Sequence, residues 1–396
     1  MIALLLAPLY ILINWYVVRW LLRWMGACHH LFRSKPAKIT TVVLYILLAS
    51  TVLTGFLIPF EPVHRVLRVV GNYFLGTFLY ILLAILVLDL VRIILKRTRW
   101  MPKEPLQARR LFVGVGAGVI VLIASLSGFG AFHARQIQVE SVDLTVEKAC
   151  KLDSLKVVLV ADLHLGYSVG AGQVEQMVDK INAQSPDLVC LAGDIFDNDF
   201  DAIDNPEGIA ALLRGITSRY GVYACYGNHD IAETLLAGFT FGADETPPED
   251  PRFSAFLESA GIRLLADETV CIDGALYLCG RKDYSKSRKL GETRLSPAEL
   301  TASLDPALPL FVLDHQPREL QELAAAGVDV DLSGHTHDGQ LFPGNLLVGL
   351  LWDNPCGVRQ IGGMASCVTS GVGMWGPAMR IGTDSEILVL NIEFTP

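Results

Sequence analysis

Two histidines one residue apart, His335 and His337, stand in the stretch "DLSGHTHDGQ" (Asp331–Gln340). Alone, a pair of loop histidines is more often surface chemistry than a metal site. Four other short stretches supply the residue types that such a site would need. They are "ADLHLG" with Asp162 and His164, "AGDIFD" with Asp194, "YGNHD" with Asn228, and "LDHQP" with His315. Mixed carboxylate, imidazole and amide donors suit borderline divalent cations such as Mn, Fe or Zn. Seven ligands serve two ions if one carboxylate bridges them. If Asp162 and His164 lie on a strand, alternate side chains share a face and both can reach one ion. His335 and His337 can each reach a different ion if the backbone turns between them.

These residues need elements that bring them together. "LKVVLVAD" (Leu155–Asp162), "DLVCLAGD" (Asp187–Asp194), "GVYACYGNHD" (Gly221–Asp230), "LPLFVLDH" (Leu308–His315) and "VDVDLSGH" (Val328–His335) are short apolar runs that close on Asp, Asn or His. Helical spacing of Val174, Met177, Val178 and Ile181 separates the first two, and "RELQELAAAG" separates the last two. Strands alternating with helices imply an α/β domain with helices packed on a sheet-rich core. "CIDGALYL" adds a hairpin at Asp273-Gly274 and "SEILVLNIE" a closing strand. Open α/β sheets collect their sites at the C-terminal ends of strands. A buried carboxylate or imidazole is costly without a partner, and a metal pair partners five such strand ends at once.

The chain before these runs has another character. Residues 1–137 carry 15 Lys/Arg against 3 Asp/Glu, and residues 138–396 carry 17 against 38. The second part is too acidic for a general nucleic-acid binder. Four uncharged stretches, Met1–Val18, Ile39–Phe60, Val69–Leu88 and Leu111–Phe132, approach the ~20 residues that cross a bilayer. The first is interrupted by Pro8 and Asn14. Loops one and three hold Arg33, Lys35 and Lys38, then Lys96, Arg97, Arg99, Lys103, Arg109 and Arg110. Positive loops stay in the cytoplasm, so four spans put both termini, and the acidic domain, outside. Asp89, beside Arg92 at the inner end of the third span, reads as a boundary residue or as a functional intramembrane carboxylate.

The five blocks, in order, resemble those of the calcineurin-like metallophosphoesterases: D-x-H, G-D-x-x-D, G-N-H-D/E, a lone His and G-H-x-H. The resemblance covers roughly Val139–Pro396, and it is strongest to the membrane-anchored branch, whose closing segment "SGVGMWGPAMRIGTDSEILVL" also looks similar. It implies two packed mixed β-sheets flanked by helices. It also implies that Asp162, His164, Asp194 and His337 hold one ion, with Asp194 bridging to a second completed by Asn228, His315 and His335. His229, with Asn228, would contact the phosphate and assist the leaving group; Asp197 and Asp230 would support the ligands. Two cations roughly 3.5–4 Å apart clamp a phosphoryl oxygen and yield a metal-bridging hydroxide that attacks phosphorus. Asp314 and Asp338 depart from the family pattern and add negative charge near the metals.

Three further stretches invite two readings each. "CGRKDYSKSRKLGETR" (Cys279–Arg294) is a basic island, either an anion site or a solvated loop. "LFPGNLLVGLLW" (Leu341–Trp352) is buried core or an apolar lip toward a bilayer or acyl chain, core being the simpler reading. "FGADETPPED" (Phe241–Asp250) is expected to be an acidic surface loop. Cys190 and Cys225 sit in core strands as buried thiols, and no disulfide is assigned among the eight cysteines. The expectation is a multi-pass membrane protein, of the plasma membrane, with a four-helix transmembrane region (1–137) and an extracytoplasmic phosphoesterase domain (138–396). Its substrate would be a phosphomonoester or phosphodiester, preferably a lipid or envelope molecule. Soluble nucleotides or wall polymers are the alternative substrates, and a catalytically silent metal-bound signalling module is the alternative function.

Overall fold

The computed structural model describes residues 2–98, 102, 104–233, 235–236, 239–240 and 250–396. The expected acidic loop Phe241–Asp250 lies outside the described residues except for Asp250. The chain divides into two units, one helical up to Ala131 and one α/β from Phe132.

Apolar runs with few charges form helices in the first unit: α1 (Ile2–Cys28), α2 (Lys35–Leu57), α3 (Val63–Leu95) and α4 (Pro105–His133). The last three are long and apolar enough to cross a membrane, which supports a membrane protein. The first expected span falls within α1, which holds Pro8 inside it and is not among those three. Asn14, the polar interruption, accepts a hydrogen bond from Tyr45 at 2.7 Å, so α1 and α2 satisfy it between them. Asp89 accepts one from Tyr16 at 2.8 Å. Gly55 and Gly71 sit where a Cβ would come within 3.1–3.3 Å of the facing backbone, so α2 and α3 approach closely there.

The second unit is built on strands β1 (Ile137–Val146), β2 (Ser154–Val160), β3 (Leu188–Ala192) and β4 (Val222–Cys225). Next in the chain is a two-residue pair, β5 (Leu235–Leu236) and β6 (Phe239–Thr240), which groups with the first unit. Then come β7 (Arg263–Leu264), β8 (Glu268–Ile272), β9 (Leu276–Gly280), β10 (Leu310–Leu313), β11 (Val330–Ser333), β12 (Gly357–Ile361), β13 (Met364–Val368) and β14 (Ser385–Phe394). One sheet runs β1-β14-β2-β3-β4-β7 and the other β12-β13-β11-β10-β9-β8. Both are mixed: β2, β3 and β4 are parallel, as are β9, β10, β11 and β13, with antiparallel partners at β14 and at both edges of the second sheet.

Leu159, Cys190 and Leu390 from the first sheet belong to one buried cluster with Leu278, Phe311 and Leu332 from the second. Each such Leu or Phe contributes about 1.5–3 kcal/mol by burial. Every residue of β3 is buried, which is why its run is apolar throughout rather than alternating. The helix Ala171–Ala183 buries Val174, Met177, Val178 and Ile181, the four residues with helical spacing. The hairpin between β8 and β9 turns on Asp273 and Gly274, both at positive φ, closed by Ala275 N–H donating to Ile272 O at 2.9 Å. Cys271 then faces Tyr277 and Cys279 faces Thr269, so these two cysteines are not opposite each other.

Asp331 in β11 is buried, and its carboxyl accepts hydrogen bonds from Ser333 and Ser366, each at 3.0 Å. Burial, with Asp314 nearby, pushes its pKa up to about 7. The native state therefore keeps a proton that the unfolded chain releases from about pH 4 upward. Stability falls between those two pH values as pH rises, by about 1.4 kcal/mol per unit of displacement, and is then constant. Asp331→Asn keeps one serine as donor to its oxygen, lets its NH2 donate to the other serine's Oγ, and removes the penalty. Its melting temperature should exceed that of the parent at pH 8 and equal it at pH 4; a difference independent of pH would refute this account.

Candidate metal centre

The two sheets bring five loops to one edge. Asp162, Asp194, His315 and His335 each lie two residues beyond the end of their strand, β2, β3, β10 and β11, and Asn228 lies three beyond β4. The strand reading of Asp162-Leu163-His164 does not hold. β2 ends at Val160, and Asp162 and His164 have φ of 55° and 47°. Their amides donate to Gly193 O and Asp194 O at 3.0 and 2.9 Å, so this loop follows the neighbouring one instead of extending the sheet. Asp194, His335 and His337 are also at positive φ. Five non-glycine residues in this costly region, at one place, mark a site that the surrounding structure holds in shape. Glycine is required at Gly227, where a Cβ would stand 2.2 Å from Asp194 Oδ1.

Two clusters result: Asp162, His164 and His337, and Asp194, His315 and His335. In the second, His315 Nε2 lies 3.1 Å from each of Asp194 Oδ2, Asn228 Oδ1 and His335 Nδ1. His315 Nδ1 lies 2.8 Å from Ala192 O. Donation to that carbonyl leaves the Nε2 lone pair for a ligand. In the first, His164 Nε2 and His337 Nε2 face each other at 3.1 Å, and Asp162 Oδ1 is 3.7 Å from His337 Nε2. Asp194 Oδ2 is also 3.7 Å from His164 Nε2, so one carboxylate oxygen borders both clusters. Thr336 turns the backbone between His335 and His337, which go to different clusters.

The donor set fits cations. Asp162 Oδ1 is buried without a hydrogen-bond partner among the described residues. Facing ring nitrogens can share at most one proton, and the remaining lone pairs need positive charge. Burial lowers the pKa of His315, but Asp194 and Asp162 outweigh it and hold the ring well above its ordinary value. Asp162 is raised to about 6 by burial, with Asp194 adding to it. His337 and His335 are both held well below the ordinary range, mainly by burial. Neutral imidazole is the ligating form.

His229 lies outside both clusters and forms a third possible group with His164 and Asp197. Its backbone amide donates to Asp194 Oδ1 at 2.7 Å. Its Nδ1 is hydrogen-bonded to Asn198 Oδ1 and is 4.0 Å from Asp197 Oδ1. Burial pushes its pKa down to about 4. Asn228, His229 and His335 are half-buried and Asp162, His164 and Asp194 fully buried, so the site opens on the side of the former three. Asp230 accepts from the amides of Phe196 (2.8 Å) and Gly227 (2.6 Å) and ties two ligand loops together. Asp197 stands 3.5 Å from His164 Nδ1.

Several participants were not read from the sequence. Asn198 directly follows the G-D-x-x-D block, which was the available signal. Arg380 is fully buried and donates to the carbonyls of Ser370, Gly371 and Gly373 at 2.6, 3.2 and 2.9 Å, with His337 Nδ1 3.3 Å away. A lone arginine in an apolar closing segment was its only mark. Trp375 meets the His229 ring edge-on at 6.2 Å, and Trp352 meets His335 at 4.9 Å.

The extra charge of Asp314 is compensated: Asp314 is buried against Arg281 (3.2 Å) and Arg294. The basic island is likewise largely paired internally. Lys282 meets Glu292, Lys289 meets Glu233, and Lys286 lies over the Tyr226 ring.

Residues 155–339 match the calcineurin-like phosphoesterase family. The chain is 28% identical over 257 residues to an uncharacterized metallophosphoesterase of Campylobacter jejuni, covering 65% of this chain and 63% of that one. It is 28% identical over 285 residues to the transmembrane protein with metallophosphoesterase domain of Danio rerio, covering 68% and 60%. It is 24% identical over 228 residues to UDP-2,3-diacylglucosamine pyrophosphatase LpxG of Chlamydia trachomatis, covering 49% and 67%. The first curated relatives are matched over 61–63% of their own length.

Proposed function

The chain carries a calcineurin-like metallophosphoesterase domain, and from this we propose that it is a membrane-anchored hydrolase of phosphate esters that uses two divalent cations. The observation that carries the proposal is Asp194 Oδ2, which lies 3.1 Å from His315 and 3.7 Å from His164 and so borders both clusters. Asp162, His164, Asp194 and His337 would hold one ion; Asp194, Asn228, His315 and His335 would hold the other. When bound, such a pair polarises phosphoryl oxygens and acidifies water.

The protein's own part follows from its geometry. The buried carboxylates and imidazoles are fixed before substrate arrives, by backbone amides and by Ala192 O. Asn228 and His229, on the open side, meet the phosphate. With Nδ1 held by Asn198, His229 presents Nε2 to the substrate. The ring starts neutral because burial disfavours its charge. An arriving phosphate brings negative charge beside it and favours protonation, and the proton can then pass to the leaving oxygen.

A lipid or envelope phosphate ester is the proposed substrate. The three apolar helices, and the diacylated substrate named for the Chlamydia trachomatis relative, support this choice. The basic loops support a catalytic domain outside the cytoplasm, and the plasma membrane is the proposed location.

One assay tests enzyme and orientation together. Intact cells producing the chain should hydrolyse an external, impermeant chromogenic phosphodiester, with EDTA abolishing the activity and Mn²⁺ restoring it. Activity only after lysis would reverse the orientation. No metal-dependent turnover in either preparation would overturn the enzyme reading. Purified full chain in nanodiscs should favour a diacylated phosphate ester over nucleotides; the opposite order would overturn the substrate class.

A further inference from the structure

Four residues after His337 the chain enters Leu341–Trp352, a segment without a charged side chain. It forms a short helix, Gly344–Leu347, and a turn, Val348–Leu350. Leu341 and Val348 are buried and anchor it. Phe342, Leu346, Leu347, Leu350 and Leu351 point to the outside, the last two 81% and 79% exposed. The core reading of this segment therefore fails for five of its eight large apolar residues. Scattered exposed leucines need no explanation, but five large apolar side chains within ten residues form a patch, and such patches mark interaction surfaces.

The base of the patch has a different chemistry. Trp352, half-buried, meets His335 at 4.9 Å, and the Arg318 guanidinium lies 4.7 Å over the Trp352 ring and 5.0 Å over the Tyr284 ring. Arg318 and Tyr284 are exposed.

We infer that Leu341–Trp352 is a membrane lip, whose leucines enter the acyl region of a lipid leaflet while Arg318, Trp352 and Tyr284 stand at the level of the head groups. Three observations select lipid as the occupant. The same chain carries three helices able to span a membrane. The α4 helix ends at His133 and β1 begins at Ile137, a link of three residues. Three residues extend at most about 11 Å, so the first strand of the α/β unit is tethered close to the end of α4. Finally, an apolar tip above a belt of Trp, Tyr and Arg is the composition of interfacial segments, and a guanidinium stacked on aromatic faces keeps its outer donors for lipid phosphates. The inference goes beyond the phosphoesterase reading, because such a lip enters a leaflet whatever the substrate is. If both hold, leaflet lipids are presented beside His335 and His337.

Site-specific photocrosslinking decides it. Full-length protein with benzoyl-phenylalanine in place of Leu350 is placed in nanodiscs of phosphatidylethanolamine and phosphatidylglycerol and irradiated. Adducts are then identified by mass spectrometry. The control carries the same group in place of Glu322, an exposed residue on the helix Leu320–Ala325. Phospholipid adducts at position 350 should exceed those at 322 at least tenfold, and Leu351→Asp should reduce them by a similar factor. Equal adducts at both positions, no adduct at 350, or adducts there to a second copy of the chain would each overturn the lip. The readout does not depend on turnover, so an inactive protein with lipid adducts at 350 would sink the catalytic reading and leave the lip standing.

Discussion

Asp194→Ala is expected to lower metal-dependent phosphodiester hydrolysis by roughly 10⁴–10⁶-fold, the scale of losses when one member of a catalytic unit is removed. The physical reason is that a single oxygen borders both clusters: Asp194 Oδ2 is 3.1 Å from His315 Nε2 and 3.7 Å from His164 Nε2. Removing it takes negative charge from between the His164 and His315 rings and deprives both proposed ion sites of a donor. Oδ1 also accepts from the His229 amide, so the loop that carries Asn228 and His229 loses one of its anchors. The expected accompaniment is a fall in bound metal from two ions per chain to one or none, read by elemental analysis of the purified protein. Asp194→Asn keeps the side-chain shape and can retain that loop anchor, and it should lose activity nearly as far. Retention of both ions with undiminished turnover in either variant would remove Asp194 from the bridging role and the dinuclear proposal with it.

His229→Ala should lower kcat by about 10²–10⁴-fold, the range for a positioned proton donor, while metal content stays at the parental level. Those two outcomes must occur together. The ring is grouped with His164 and Asp197 as a possible metal cluster, and loss of metal in the variant would make it a ligand instead. Its Nδ1 is held by Asn198, with Asp197 4.0 Å away, its ring is edge-on to Trp375, and it lies on the open side of the site. That is the placement of a group that meets substrate. Proton donation matters least when the leaving group is already a stable anion. The penalty should therefore be larger for an alkyl phosphodiester than for a nitrophenyl one. Equal penalties for the two would argue for a role in phosphate contact alone.

The sequence alone determined the chemistry on offer and its order along the chain. Apolar β-branched runs that end in Asp, Asn or His are local patterns. They placed β2, β3, β4, β10 and β11 and the ligand candidates just beyond them. Helical spacing placed the helix Ala171–Ala183, and long uncharged runs placed α2, α3 and α4. All of these depend on neighbours within a few residues, where hydrophobic periodicity and turn chemistry act. Strands β1, β5, β6, β7, β12 and β13 were not read. β1 is a partly exposed edge whose pattern is set by pairing with β14, about 250 residues away in sequence.

Tertiary structure decided what needs contact between distant segments. Asp162 and His164 are carried by positive-φ backbone pinned to the Gly193–Asp194 loop, a conformation that strand spacing does not reveal. Asp314 looked like added negative charge until Arg281 and Arg294 were found against it. Arg380 reaches carbonyls in its own closing segment and the His337 ring, which no linear spacing announces. Leu341–Trp352 is apolar whether it faces core or the outside; only the tertiary structure shows that Phe342, Leu346, Leu347, Leu350 and Leu351 are exposed. Residue type states which interactions a side chain can make, and the packing of two sheets states which of them it does.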